Sequence, residues 1–113
     1  MLRWDFAILE TVYALGGTAS LQETYPHIEE HYLYAPDHAH ALRITRWGDR
    51  PAYQHTVRSR ASGLRRKGHL KLIERGRYAL TEQGFDRYVS ELEYYDPEAA
   101  RIVAARRSLI ASR

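Results

Sequence analysis

A chain of 113 residues with 44% hydrophobic and 27% charged content is the size and balance of one soluble globular domain, which excludes a disordered chain and leaves no room for two ordinary domains. The absence of cysteine excludes a disulfide framework and a thiolate zinc site, so the fold has to be held by its core. The net charge of +3 hides an asymmetry: residues 52–77 hold eight basic groups and one acidic group, whereas residues 1–51 hold four basic and seven acidic.

Trp4, Ile8, Leu9, Val12 and Leu15 recur at helical spacing and predict a first helix over residues 4–15, stopped by Gly16 and Gly17. Thr18-Ala19 leaves space for a very short strand able to pair with a later hairpin. Ser20 followed by Glu23 reads as a capping box, opening a second helix whose stripe is Leu21, Tyr25, Ile28 and Tyr32, with Pro26 as a candidate kink. Residues 33–51 carry Pro36, Gly48 and Pro51 without a sustained period and read as a structured connection.

A third helix is expected over 52–68, with Tyr53, Val57, Ala61 and Leu64 as its buried stripe. Gly63 weakens it by about 1 kcal/mol relative to alanine, and the spacing alone leaves open whether a close helix contact or simple tolerance explains it. After Gly68 the period changes to two: Leu70 and Leu72 alternate with Lys71 and Ile73, Arg75-Gly76 turns, and Tyr78 and Leu80 return, a hairpin over about 70–81. Thr81 caps a fourth helix with the face Phe85, Tyr88, Val89 and Leu92, which Asp96-Pro97 ends. Residues 98–113 read as a last helix in which Ile102, Val103, Leu109 and Ile110 call for a partner surface.

The expected class is therefore α+β, mostly helical, in the order of a winged helix-turn-helix with a short β-hairpin wing and C-terminal helices. Residues 1–96 make the winged-helix domain and 97–113 a helical tail for dimerisation or linkage.

Charge placement then suggests chemistry. A step of about 100° per residue sets His55, Arg58, Ser59, Ser62 and Arg66 opposite the stripe, with Gln54 and Arg65 at the flanks. Arginine donates in pairs to guanine and glutamine to adenine, so Gln54, His55, Arg58, Ser59 and Ser62 are assigned to base reading, and Arg65 and Arg66 to phosphates. Arg75 and Arg77 flank the hairpin tip and suit an adjacent backbone or minor groove. In the connection, Arg43, Arg46, Trp47 and Arg50 sit where they would extend the positive surface, with Trp47 read as packed. A solvated helix face is the plain alternative for these arginines.

The stretch from Gly48 to Gly84 resembles the N-terminal winged-helix domain of the Mrr family of modified-DNA restriction endonucleases. The resemblance is carried by Tyr53-Gln54-His55, Val57, Leu64-Arg65-Arg66-Lys67-Gly68, Gly76-Arg77-Tyr78 and Leu80-Thr81-Glu82-Gln83-Gly84, about a third of the chain. It implies a DNA-binding module whose helix residues His55, Arg58, Ser59, Ser62 and Arg66 face DNA. Thr56 stands where relatives are expected to have arginine. The nuclease domain of that family, with its metal site, has no counterpart in this length of chain.

Other chemistry finds little support. His27 and His31, four apart, and Asp37-His38-Ala39-His40 offer imidazoles and a carboxylate at unspecific spacing, and no metal is assigned. No nuclease carboxylate pattern, glycine-rich phosphate loop or serine nucleophile elbow is present, so neither an enzyme nor a cofactor is expected. With no apolar run of about 18 residues and no leader-like opening, the expectation is a cytoplasmic protein without a membrane partner. The reading is thus double-stranded DNA binding, as a small transcriptional regulator or the recognition module of a restriction or defence system, with a homodimer formed through the C-terminal helices. The alternative is an interaction or counter-defence module whose basic face binds an acidic protein.

Overall fold

The computed structural model describes residues 3–33, 42 and 50–107. Within them the order is α1 (Trp4–Ala14), β1 (Thr18–Ser20), α2 (Leu21–Tyr32), α3 (Ala52–Arg66), β2 (Leu70–Glu74), β3 (Arg77–Leu80), α4 (Glu82–Tyr95) and α5 (Pro97–Ala105). The fold is α+β, with five helices and one antiparallel sheet of order β1-β3-β2 among the described residues.

Local chemistry sets most of the boundaries. α1 and α3 end alike: Gly17 N–H reaches the Val12 carbonyl and Gly16 N–H that of Tyr13, and His69 and Gly68 repeat the pair toward Leu64 and Arg65. The residue that makes this closure must adopt positive φ, +99° at Gly16 and +82° at Gly68, which glycine does without a Cβ penalty. The Ser20–Glu23 capping box forms in both directions and opens α2, which runs through Pro26 to Tyr32. Thr81 Oγ1 accepts from Gly84 N–H at the start of α4, and Asp96 Oδ1 accepts from Ala99 N–H at the start of α5, with Pro97 at the position that needs no donor.

The three-residue β1 pairs with β3, Thr18 opposite Ala79 and Ser20 opposite Arg77, while β2 lies on the other side of β3 with Leu70 opposite Leu80. A bulge lies between Leu72 and Glu74 in β2, and Ile73 is exposed on the side it shares with Lys71, as the alternation places it. The hairpin is tied down at its turn, because the Gly76 carbonyl accepts from Leu21 N–H at the head of α2.

One core joins the elements. Ile8, Leu9 and Val12 of α1, Leu21, Tyr25 and Ile28 of α2, and the α3 stripe of Tyr53, Val57, Ala61 and Leu64 meet Leu70, Leu80, Phe85 and Tyr88. At about 1.5–3 kcal/mol for each large apolar side chain buried, this cluster is the main source of stability. Val103, expected to need a partner, is instead 8% exposed and belongs to the same core, since the turn at Asp96-Pro97 brings α5 back along α4. Ile102 remains 52% exposed, and Leu109 and Ile110 lie outside the described residues. Among the described residues no helix is long and apolar enough to cross a membrane.

Candidate nucleic-acid interface

α3 is positioned by what its inner face grips. Tyr53 is buried with its ring edge-on to Tyr25, and its hydroxyl donates to the Glu29 carboxylate, pinning the start of α3 to α2. Burial, and then the bond to Glu29, push the Tyr53 phenol up to about 12, so it stays protonated and remains a donor. At the other end the glycine closure passes the chain directly into β2, which places the last turn of α3 beside the hairpin.

The outer face of this anchored helix carries most of the side chains expected there. His55, Arg58, Ser59, Arg65 and Arg66 are exposed. Arg58, Arg65 and Arg66 form no ion pair among the described residues. Ser62 is half-buried, and its hydroxyl accepts from Arg66 Nη1 at 3.2 Å, steadying that guanidinium along the helix. Gln54 is also half-buried, with Nε2 3.5 Å from the Tyr53 hydroxyl, so its amide is drawn toward the α2 side. Arg50, just before the helix, is exposed, whereas Arg43, Arg46 and Trp47 lie outside the described residues.

The two hairpin arginines differ. Arg75 is exposed in the turn. Arg77 sits on β3 with its guanidinium 3.2 Å from Glu23 and 3.6 Å from Glu74, its charge already matched by two carboxylates. Glu23 is held below the usual carboxylate range, first by the Ser20 backbone donor, then by the Ser20 side chain and Arg77. Arg77 ties β3 to the capping box of α2. Glu23 lies 54 residues away in sequence, which is why the tip residues looked equivalent.

Two cations escaped notice on the flank of α3 facing α1. Arg60 and Lys67 are 56% and 60% exposed, and each approaches Asp5 at 3.9 Å. Arg60 lies only about 60° from the centre of the buried stripe on a helical wheel, nearer the core than the opposite, solvent face. A long stem carries its head past that flank to solvent. Asp5 also pairs with Arg87 at 3.3 Å, and Arg87 joins Glu91 at 3.1 Å, which Arg3 meets at 3.3 Å. Arg87 further lies 3.3 Å from Nδ1 of His69; burial, then Arg87 and Lys67, hold that imidazole below its usual range, so Nδ1 is available as the acceptor.

The histidines weighed as metal ligands are otherwise engaged. His27 Nε2 lies 3.1 Å from Glu10, whose carboxylate also accepts from Tyr32, and the His27 and His31 rings stack at 4.2 Å. Among the described residues no group of three or more His, Cys, Asp or Glu side chains is gathered for a metal, and Asp37, His38 and His40 lie outside them. Comparison with protein-family models, with curated proteins and with solved structures returned no match.

Proposed function

We propose that this protein binds double-stranded DNA as a winged helix-turn-helix, with α3 in the major groove and the β2–β3 hairpin as the wing. The observation that carries this reading is the outer face of α3, where Arg58, Arg65 and Arg66 stand with His55 and Ser59 opposite a fully buried stripe. At 15 residues the helix is about 22 Å long, and its width suits a major groove about 12 Å across. The order of the elements and the β1-β3-β2 sheet support the wing, and Arg75 is its contact to the DNA backbone. In this reading Arg58, Ser59 and His55 read bases near the start of the helix, while Arg65 and Arg66 hold phosphates. The resemblance to Mrr-type recognition modules points the same way, toward a small regulator or the recognition part of a restriction or defence system in the cytoplasm. The proposed dimer places two such helices on a two-part site, with Ile102 of α5 as the exposed apolar contact.

The test is anisotropy of a labelled random-sequence duplex at low salt. Wild type is expected to bind, and the double variant Arg58→Gln/Arg66→Gln to lose at least about tenfold in affinity, the worth of a charge-assisted contact or more. Wild-type protein that leaves the duplex free at low salt would overturn the reading in favour of an acidic protein partner.

A further inference from the structure

Gly63 occupies the middle of α3, where glycine is among the poorest helix formers, and the usual structural reason for it is missing. A Cβ built there would meet nothing closer than Arg66 Nη2 at 3.8 Å, so no neighbouring helix or strand requires the bare backbone. The glycine instead forms part of the wall of an open cleft of about 440 Å³ lined by Asp5, Ser59, Arg60, Gly63, Arg66 and Lys67. Ser59, Gly63 and Lys67 succeed one another at four-residue steps along one flank of α3, with Gly63 as a notch between a hydroxyl and an ammonium group.

We infer that this notch is a phosphate-binding site that takes one phosphodiester group of the nucleic-acid backbone, held by Arg60, Lys67 and Arg66 with Ser59 as a further donor. Three cations and one carboxylate line the cleft, a formal balance of +2. That balance already subtracts Asp5, whose charge Arg87 also meets from the α4 side at 3.3 Å. Its own place is that of a positioning residue: at 3.9 Å from both the Arg60 and the Lys67 heads, it draws two long side chains to the two sides of the notch. A phosphate entering there finds a bidentate guanidinium, a point-charge ammonium and a surface on which no Cβ blocks approach to the helix backbone.

This rests on the duplex-DNA reading of α3, and the experiment separates the two. Wild type, Gly63→Ala, Gly63→Leu and Arg60→Gln/Lys67→Gln are compared for melting temperature, for anisotropy with a labelled random duplex, and for amide shifts of Ser59 and of residue 63 on titration with inorganic phosphate. The glycine replacements are expected to melt at or above the wild-type temperature, since both residues are better helix formers. Duplex affinity is expected to fall in the order Ala then Leu, by about tenfold for Leu, and the double charge variant to lose a similar factor. Undiminished duplex affinity in Gly63→Leu would overturn the site, as would phosphate that leaves both amides unmoved. If wild type binds no duplex while phosphate still shifts both amides and Gly63→Leu abolishes the shift, the DNA reading fails and the notch stands as a site for a free phosphate group.

Discussion

Gly84 shows how one position can be decided by a neighbour that local pattern does not reveal. It lies in the first turn of α4, and an added Cβ would stand 2.0 Å from the His69 carbonyl oxygen and 3.0 Å from Leu80 Cδ1. That carbonyl is part of the backbone joining α3 to β2 and accepts from Thr81 N–H, so it cannot swing aside as a side-chain tip can. Gly84→Ala is therefore expected to destabilise the protein by about 3 kcal/mol, in the range of overpacking with backbone displacement, as read from the denaturant midpoint. A loss below about 1 kcal/mol would show that the α4 start has slack. The contrast with Gly63 is physical: both glycines stand within helices, but one faces a rigid carbonyl and the other an open cleft.

At the scale of elements, what was legible in the sequence was what depends on nearby residues. The Ser20–Glu23 capping box, the Thr81 cap, the Gly16 and Gly68 closures and the α3 stripe all arise within one or two helical turns, and α1 to α4 and the hairpin stand within a residue or two of where their patterns place them, whereas α5, expected over 98–113, is Pro97–Ala105. What escaped depends on approaches across tens of residues: Arg77 to Glu23, Asp5 to Arg60, Lys67 and Arg87, and Val103 to the core. A periodicity argument assigns a side chain to a face but cannot name its partner, so Arg75 and Arg77 looked alike and α5 looked unpartnered. The difference between the two arginines is testable. Arg75→Ala is expected to weaken duplex binding several-fold with the melting temperature unchanged, since Arg75 is exposed at the turn. Arg77→Ala is expected to lower the melting temperature and change duplex affinity less, because it removes the tie to Glu23 and Glu74. Equal effects on both readouts would mean the hairpin acts as an undivided basic patch.

Across the whole molecule the informative quantity is where charge sits, not its sum. A net charge of +3 spread evenly would attract a polyanion weakly, yet the segment from 52 to 77 concentrates its cations on one helix and the hairpin that follows it. Each phosphate neutralised at such a surface releases condensed counterions, so affinity for duplex DNA falls with salt at a slope of about −0.9 per contact on logarithmic axes. Arg65, Arg75 and the cleft between Asp5 and α3 provide three such contacts, which predicts a slope near −3 for a random duplex. Arg60→Gln/Lys67→Gln should flatten it by about one, because the two share a single phosphate, whereas Arg58→Gln should leave it nearly unchanged if that side chain reads a base edge. The slope thus counts the contacts independently of absolute affinity. A value shallower than about −1 for wild type would mean that the concentrated charge never meets the DNA backbone, whatever the affinity measured at a single salt concentration.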